Sequence, residues 1–97
     1  MVFNEVISSW AEDDLSNILH QAPSPQDAAR FLADFYTMVE LLTKHPYAFR
    51  IRYKETRVVT FKKLPFKLVY QVIEPNTLYI IAVLHEKMSD DNWMERS

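Results

Sequence analysis

The chain has 97 residues, 48% apolar and 25% charged, the size and composition of one globular domain with a modest core. It holds neither cysteine nor glycine, which excludes a disulfide framework, a thiolate metal site and a Gly-rich phosphate loop. The net charge of −2 argues against general polyanion affinity.

Met1 to Ile7 carries Val2, Phe3, Val6 and Ile7 and reads as a first strand with poor alternation. Ser9 followed by Glu12 fits a capping box, and Trp10, Leu15, Ile18, Leu19 and Ala22 keep helical spacing to about Gln21. "APSP" ends that helix and starts another, with Ser24 as N-cap, Pro25 at the first helical position and Asp27 reaching back to the cap. Ala28, Phe31, Leu32, Phe35, Met38, Val39 and Leu42 form one apolar stripe, read as core and not as a cofactor pocket. Pro46 ends the helix near Lys44 or His45. "YAFRIRYKET" reads mostly as loop with a short extended piece, and Arg57 to Lys63 as a strand. Phe66–Ile73 and Leu78–Leu84 are the strongest strands, joined by "EPNT". The tail from Ser89 is polar except for Trp93 and Met94, and fits a short helix capped by Ser89 or Asp90.

Charge is segregated along the chain. Residues 1–43 hold seven acids and one base, residues 44–67 eight bases and one acid, and residues 68–97 five acids and two bases. The central block points to a local anion site, with a solvated face as the plain alternative. His20, His45 and His85 lack metal-ligand spacing, so no metal site is expected. Asp13-Asp14 and Asp90-Asp91 read as helix-terminal charges. No run approaches the roughly 20 apolar residues of a bilayer span, and no cationic region precedes the apolar start, so a single soluble cytoplasmic domain over residues 1–97 is expected, without small-molecule cofactor.

Strand parity frames the candidate site. Phe66, Leu68, Tyr70 and Val72, with Leu78, Ile80, Ala82 and Leu84, are the more apolar sets and are assigned to the helix-covered face. That assignment puts Lys67 and His85 together on the opposite face, where pairing 67 with 85 makes them neighbours. Such a register needs an odd loop or a bulge at "EPNT". Val59 and Phe61 should face the core, which gives Arg57 core parity at its strand end.

The order of helical hairpin, "KHPYAFRIRYKETRVVTFKKLPFKLVYQV" and "LYIIAVLHEKMSDDNW" resembles the RelE/ParE superfamily of type II toxin–antitoxin toxins over nearly the whole chain. The carrying pieces are "HP" after the second helix, an arginine ahead of the first hairpin strand, "LPFKLVY" and "AVLH". The resemblance implies an α+β fold, with an N-terminal helical hairpin on one face of a small curved antiparallel sheet. It implies two possible activities. RelE-like members cut mRNA on the ribosome; ParE-like members inhibit DNA gyrase and need no catalysis. In the YoeB-like branch an arginine precedes "LVY" and a histidine ends the last strand, which correspond to Lys67 and His85 here. The leading expectation is a metal-independent mRNA endonuclease with Arg57, Lys67 and His85 as catalytic set. Arg50, Arg52, Lys54, Lys62 and Lys63 would hold RNA. A cognate antitoxin would cover Tyr47, Phe49, Ile51 and Tyr53, unless these pack beneath their own loop. The rivals are a gyrase inhibitor and a non-toxic interaction module. Three departures stand out: Lys67 replaces an arginine and lacks its bidentate fork, no tyrosine follows His85, and the chain is acidic for an RNA binder.

Overall fold

The computed structural model describes residues 2–96. A helical hairpin lies on one face of a five-stranded sheet, in the order β1 (Asn4–Ile7), α1 (Ser9–Gln21), α2 (Pro25–Lys44), β2 (Ile51–Tyr53), β3 (Thr56–Thr60), β4 (Phe66–Ile73), β5 (Thr77–His85) and a one-turn α3 (Asp91–Met94). The strand order is β1-β5-β4-β3-β2. β1 runs parallel to β5 and every other neighbour is antiparallel, so the sheet is mixed where an antiparallel one was expected. The chain leaves β1 through both helices and three strands before β5, and parallel neighbours require a long connection of that kind. Among the described residues no helix is long and apolar enough to cross a membrane.

The α2 stripe behaves as its spacing dictates. Phe31, Phe35, Val39 and Leu42 are buried and pack on Leu68, Tyr70, Leu78 and Ile80. Ser24 Oγ accepts the Asp27 amide at 3.1 Å and donates to Asp27 Oδ2 at 3.0 Å. The α1 cap is Ser8, one residue before the expected Ser9: its Oγ accepts the Ala11 amide at 3.0 Å. The same hydroxyl donates to the Ile81 carbonyl at 3.1 Å, so Ser8 is buried while Ser9 is exposed. Ser8→Ala is therefore expected to cost about 1–2 kcal/mol in urea unfolding. Ser9→Ala should stay within about 0.5 kcal/mol, as at an ordinary surface position; equal losses at the two positions would contradict this cap.

β5 carries the feature that reorganises the site. Ile73 pairs with Thr77 and Tyr70 with Ile80, but Val69 pairs with Ala82 and Phe66 with His85. The extra residue, Ile81, is a bulge, and beyond it the side-chain alternation of β5 is reversed. Val83 therefore joins the helix-side core, while Ala82 and Leu84 join a second cluster on the other face with Val69, Ile81 and Trp93. The expected placement of Ala82 and Leu84 under the helices is corrected accordingly. α1 completes the polar groups at the bulge. Ser8 takes the Ile81 carbonyl, and Asp14 Oδ2 takes the Val83 amide at 3.1 Å and Arg96 at 2.8 Å. Asp14 thus fastens helix to strand, where a helix-terminal charge was expected.

Candidate functional site

The bulge separates the expected catalytic set. Lys67 pairs with Leu84, and His85 pairs with Phe66, so Lys67 and His85 lie on opposite faces of the sheet and not side by side. Arg57 pairs with Tyr70 and faces the helices, as its parity indicated. Its row and that of His85 are four residues apart on β4 and on strands either side of it. This spacing puts their Cα positions roughly 16 Å apart. The structure brings no two of the three together.

Each of the three has its own surroundings. Lys67 is 5% exposed. Its Nζ donates to the Met88 carbonyl at 2.6 Å and to Asp90 Oδ1 at 3.1 Å. The Trp93 indole donates to the same oxygen at 3.0 Å, and Arg52 reaches Asp90 Oδ2 at 3.2 Å. Burial pushes the Asp90 carboxyl up, but the Trp93, Lys67 and Arg52 contacts outweigh it and hold the group below its ordinary value. Asp90 stands at the N-cap of α3 without a capping bond, because its carboxylate is taken by these partners. Trp93 is fully buried against Val69, Ile81, Ala82 and Leu84, with Tyr53 edge-on at 6.0 Å. The C-terminal segment is therefore a cover over the face where Lys67 and His85 were expected to meet.

His85 is exposed at the strand end, edge-on to Phe66 at 6.0 Å, with Nδ1 accepting the Lys87 amide at 3.2 Å. It stands at the rim of a cleft of about 590 Å³ between the helical hairpin and the ends of β4 and β5, whose apolar lining includes Ile18, Ala22, Phe31, Leu64 and Phe66. The sequence reading missed this cleft. Its one signal was the continuation of the α1 stripe through Ile18 and Ala22 to the break at Pro23.

Arg57 lies at the other end of the helix face. Its guanidinium donates to the Phe49 carbonyl and stacks 5.2 Å from the centre of the Tyr47 ring. Tyr70, fully buried beside it, donates to the Pro46 carbonyl at 2.9 Å. Burial raises the Tyr70 phenol above its ordinary value, and the nearby Arg57 charge opposes that rise only in part.

The basic block lies along the β2–β3 edge and the loop after β3. Arg50, Lys54, Lys62 and Lys63 are exposed; Arg52 is also exposed but ion-paired with Asp90. Lys54 takes φ 52°, a left-handed turn position that glycine would occupy with less strain. The four expected antitoxin contacts divide. Tyr47 and Ile51 are 52% and 49% exposed, whereas Phe49 packs on the helix-side core and Tyr53 on Trp93. Among the described residues, no three His, Asp or Glu side chains gather as a metal site requires.

Comparison with known proteins accords with this fold. The chromosomal ParDE toxin–antitoxin system of P. aeruginosa is similar at 19% identity and a TM-score of 0.73, over 87% of this chain and 96% of that one. A mutant of the E. coli toxin RelE in the free state gives 15% identity and a TM-score of 0.72, over 99% and 98% of the two chains. The RelBE2 toxin–antitoxin complex of Mycobacterium tuberculosis gives 17% identity and a TM-score of 0.60, over 88% and 99%. No curated protein sequence matches the chain. A model for the ParE toxin of the type II toxin–antitoxin system parDE matches residues 6–90, nearly the whole of the fold described above, and the chain belongs to that family.

Proposed function

We propose that this toxin acts by binding a protein target, DNA gyrase, as ParE-like members of the superfamily do, and that it does not cleave RNA. The observation carrying this reading is the dispersal of Arg57, Lys67 and His85 over two faces and two ends of the sheet. Cleavage through a 2′-hydroxyl needs a base, an acid and a cation within hydrogen-bond reach of one phosphate. Here Lys67 is neutralised by Asp90 under a closed segment, and Arg57 is held by Phe49 and Tyr47. Match to the ParE family model supports the same direction. Purified protein is expected to inhibit gyrase-catalysed supercoiling, and undiminished supercoiling at saturating protein would count decisively against gyrase as the target.

The rival is a ribosome-associated mRNA endonuclease, with Arg50, Arg52, Lys54, Lys62 and Lys63 on the RNA. Its support is the exposed imidazole of His85 at the strand end, since histidine exchanges protons near neutral pH. The two readings separate at one variant. As a general acid or base His85 would contribute roughly 10²- to 10⁴-fold to cleavage, so His85→Ala would abolish growth arrest. On our reading His85→Ala arrests growth as the parent does. Normal growth on strong expression of the parent chain without antitoxin would instead favour a non-toxic interaction module.

A further inference from the structure

Cations of this protein fall into two groups. Arg30, Lys44, Arg50, Arg52, Lys54, Lys62, Lys63 and Lys87 are exposed, and water screens them at little cost. Three others are buried or half-buried. Lys67 has Asp90, and Arg96 has Asp14 at 2.8 Å. The third, Arg57, has no carboxylate within ion-pair distance among the described residues. Its contacts are a carbonyl and the face of Tyr47, and its Nε is buried without any hydrogen-bond partner. A buried donor without a partner and a half-buried charge without a counterion are both costly, and both costs are removed by one incoming anion.

The surroundings say what sort of anion. Tyr47 lies across the guanidinium, is itself half-exposed, and is tethered through its hydroxyl to the Glu74 carboxylate. Ile51, paired with Arg57 on β2, is 49% exposed. One masked cation amid exposed apolar side chains, with a carboxylate at its border, repels a polyanion and suits a single acid on an amphipathic protein segment. We propose that Arg57 is the anchor for one acidic side chain of the antitoxin. Tyr47 swings off the guanidinium to admit that carboxylate, and the flanking apolar side chains of the antitoxin cover Tyr47 and Ile51. The arrangement holds whether the toxin acts on gyrase or on RNA, because it concerns the neutralising partner alone.

The test is calorimetric titration of the antitoxin, purified from the reading frame adjoining that of this chain, into the toxin and its variants. Arg57→Gln is expected to weaken binding by about 30-fold or more, as loss of one side of a desolvated charge pair does. Arg57→Lys should fall between, keeping the charge and losing the fork. Arg50→Gln, an exposed neighbour, should bind as the parent. Glu74→Gln removes the competing carboxylate and frees Tyr47, so it should tighten binding several-fold; this variant decides the matter if Arg57→Gln fails to fold. A scan of acid-to-amide changes in the antitoxin should find one that weakens binding to the parent but not to Arg57→Gln. Unchanged affinity in folded Arg57→Gln, or unchanged affinity in Glu74→Gln, overturns the proposal. So does loss of RNA binding in Arg57→Gln with antitoxin affinity intact, which would make the anion a phosphate.

Discussion

Replacing Trp93 with alanine is expected to lower stability by about 3–5 kcal/mol, the usual cost of truncating a fully buried tryptophan. For a domain of this length each kcal/mol moves Tm by about 4–8 °C, so the variant should melt tens of degrees lower. The indole is fully enclosed by β4 and β5 side chains and Tyr53, and its N–H also fastens Asp90. The loss therefore combines a cavity with a missing donor, and it should free the C-terminal segment from the sheet. Thermal unfolding followed by circular dichroism measures it. Trp10, 42% exposed, is the control: Trp10→Ala should cost about 0.5 kcal/mol. Similar melting of the two variants would show that the C-terminal segment is not packed as described.

Removing the Asp90 carboxylate is expected to cost about 2–4 kcal/mol. That is somewhat below the cost of breaking a fully buried pair, because Asp90 is 28% exposed on its side chain while Lys67 is 6% exposed. Asp90→Ala strands the Lys67 ammonium with only the Met88 carbonyl. Lys67→Met is a different change, since it removes the buried charge and leaves Asp90 with Arg52 and Trp93. It should stay within about 1 kcal/mol of the parent and keep full toxicity. A catalytic Lys67 would instead give a folded Lys67→Met that has lost its toxicity. The pH dependence has a definite sign. The Asp90 carboxyl is held below its ordinary value of 3.8, so its contribution is complete above that value and is lost as the pH falls through the lower folded value. Urea unfolding at descending pH should accordingly show parent and Asp90→Asn converging in strongly acidic solution and separating above it.

Local chemistry made most of the elements legible. Ser24-Pro25 with Asp27 located the start of α2, the Phe31, Phe35, Val39 stripe its buried face, and the Val- and Ile-rich runs the two central strands. Arg57 was also read with the right parity. The bulge at Ile81 was not legible, because its partners Ser8 and Asp14 lie some seventy residues earlier in the chain. Nothing near Ile81 marks it: the run from Leu78 to Leu84 is apolar throughout, so either parity looks the same from the sequence. A single inserted residue then moved His85 to the helix face and left Lys67 on the other, and the expected pair dissolved. The short extended piece read within "YAFRIRYKET" is β2, an edge strand whose one charged residue, Arg52, lies between Ile51 and Tyr53. The parallel pairing of β1 is likewise a property of the whole chain path and not of Asn4–Ile7.

The central proposal is that this toxin acts on gyrase and does not cleave RNA, and an assay of mRNA cleavage on translating ribosomes tests it most directly. Purified toxin at saturating concentration should leave the programmed message intact under conditions where it blocks supercoiling. Cleavage of the message, abolished by a 2′-deoxy substitution at the scissile nucleotide and by His85→Ala in a folded protein, would contradict the account and restore His85 as a catalytic residue.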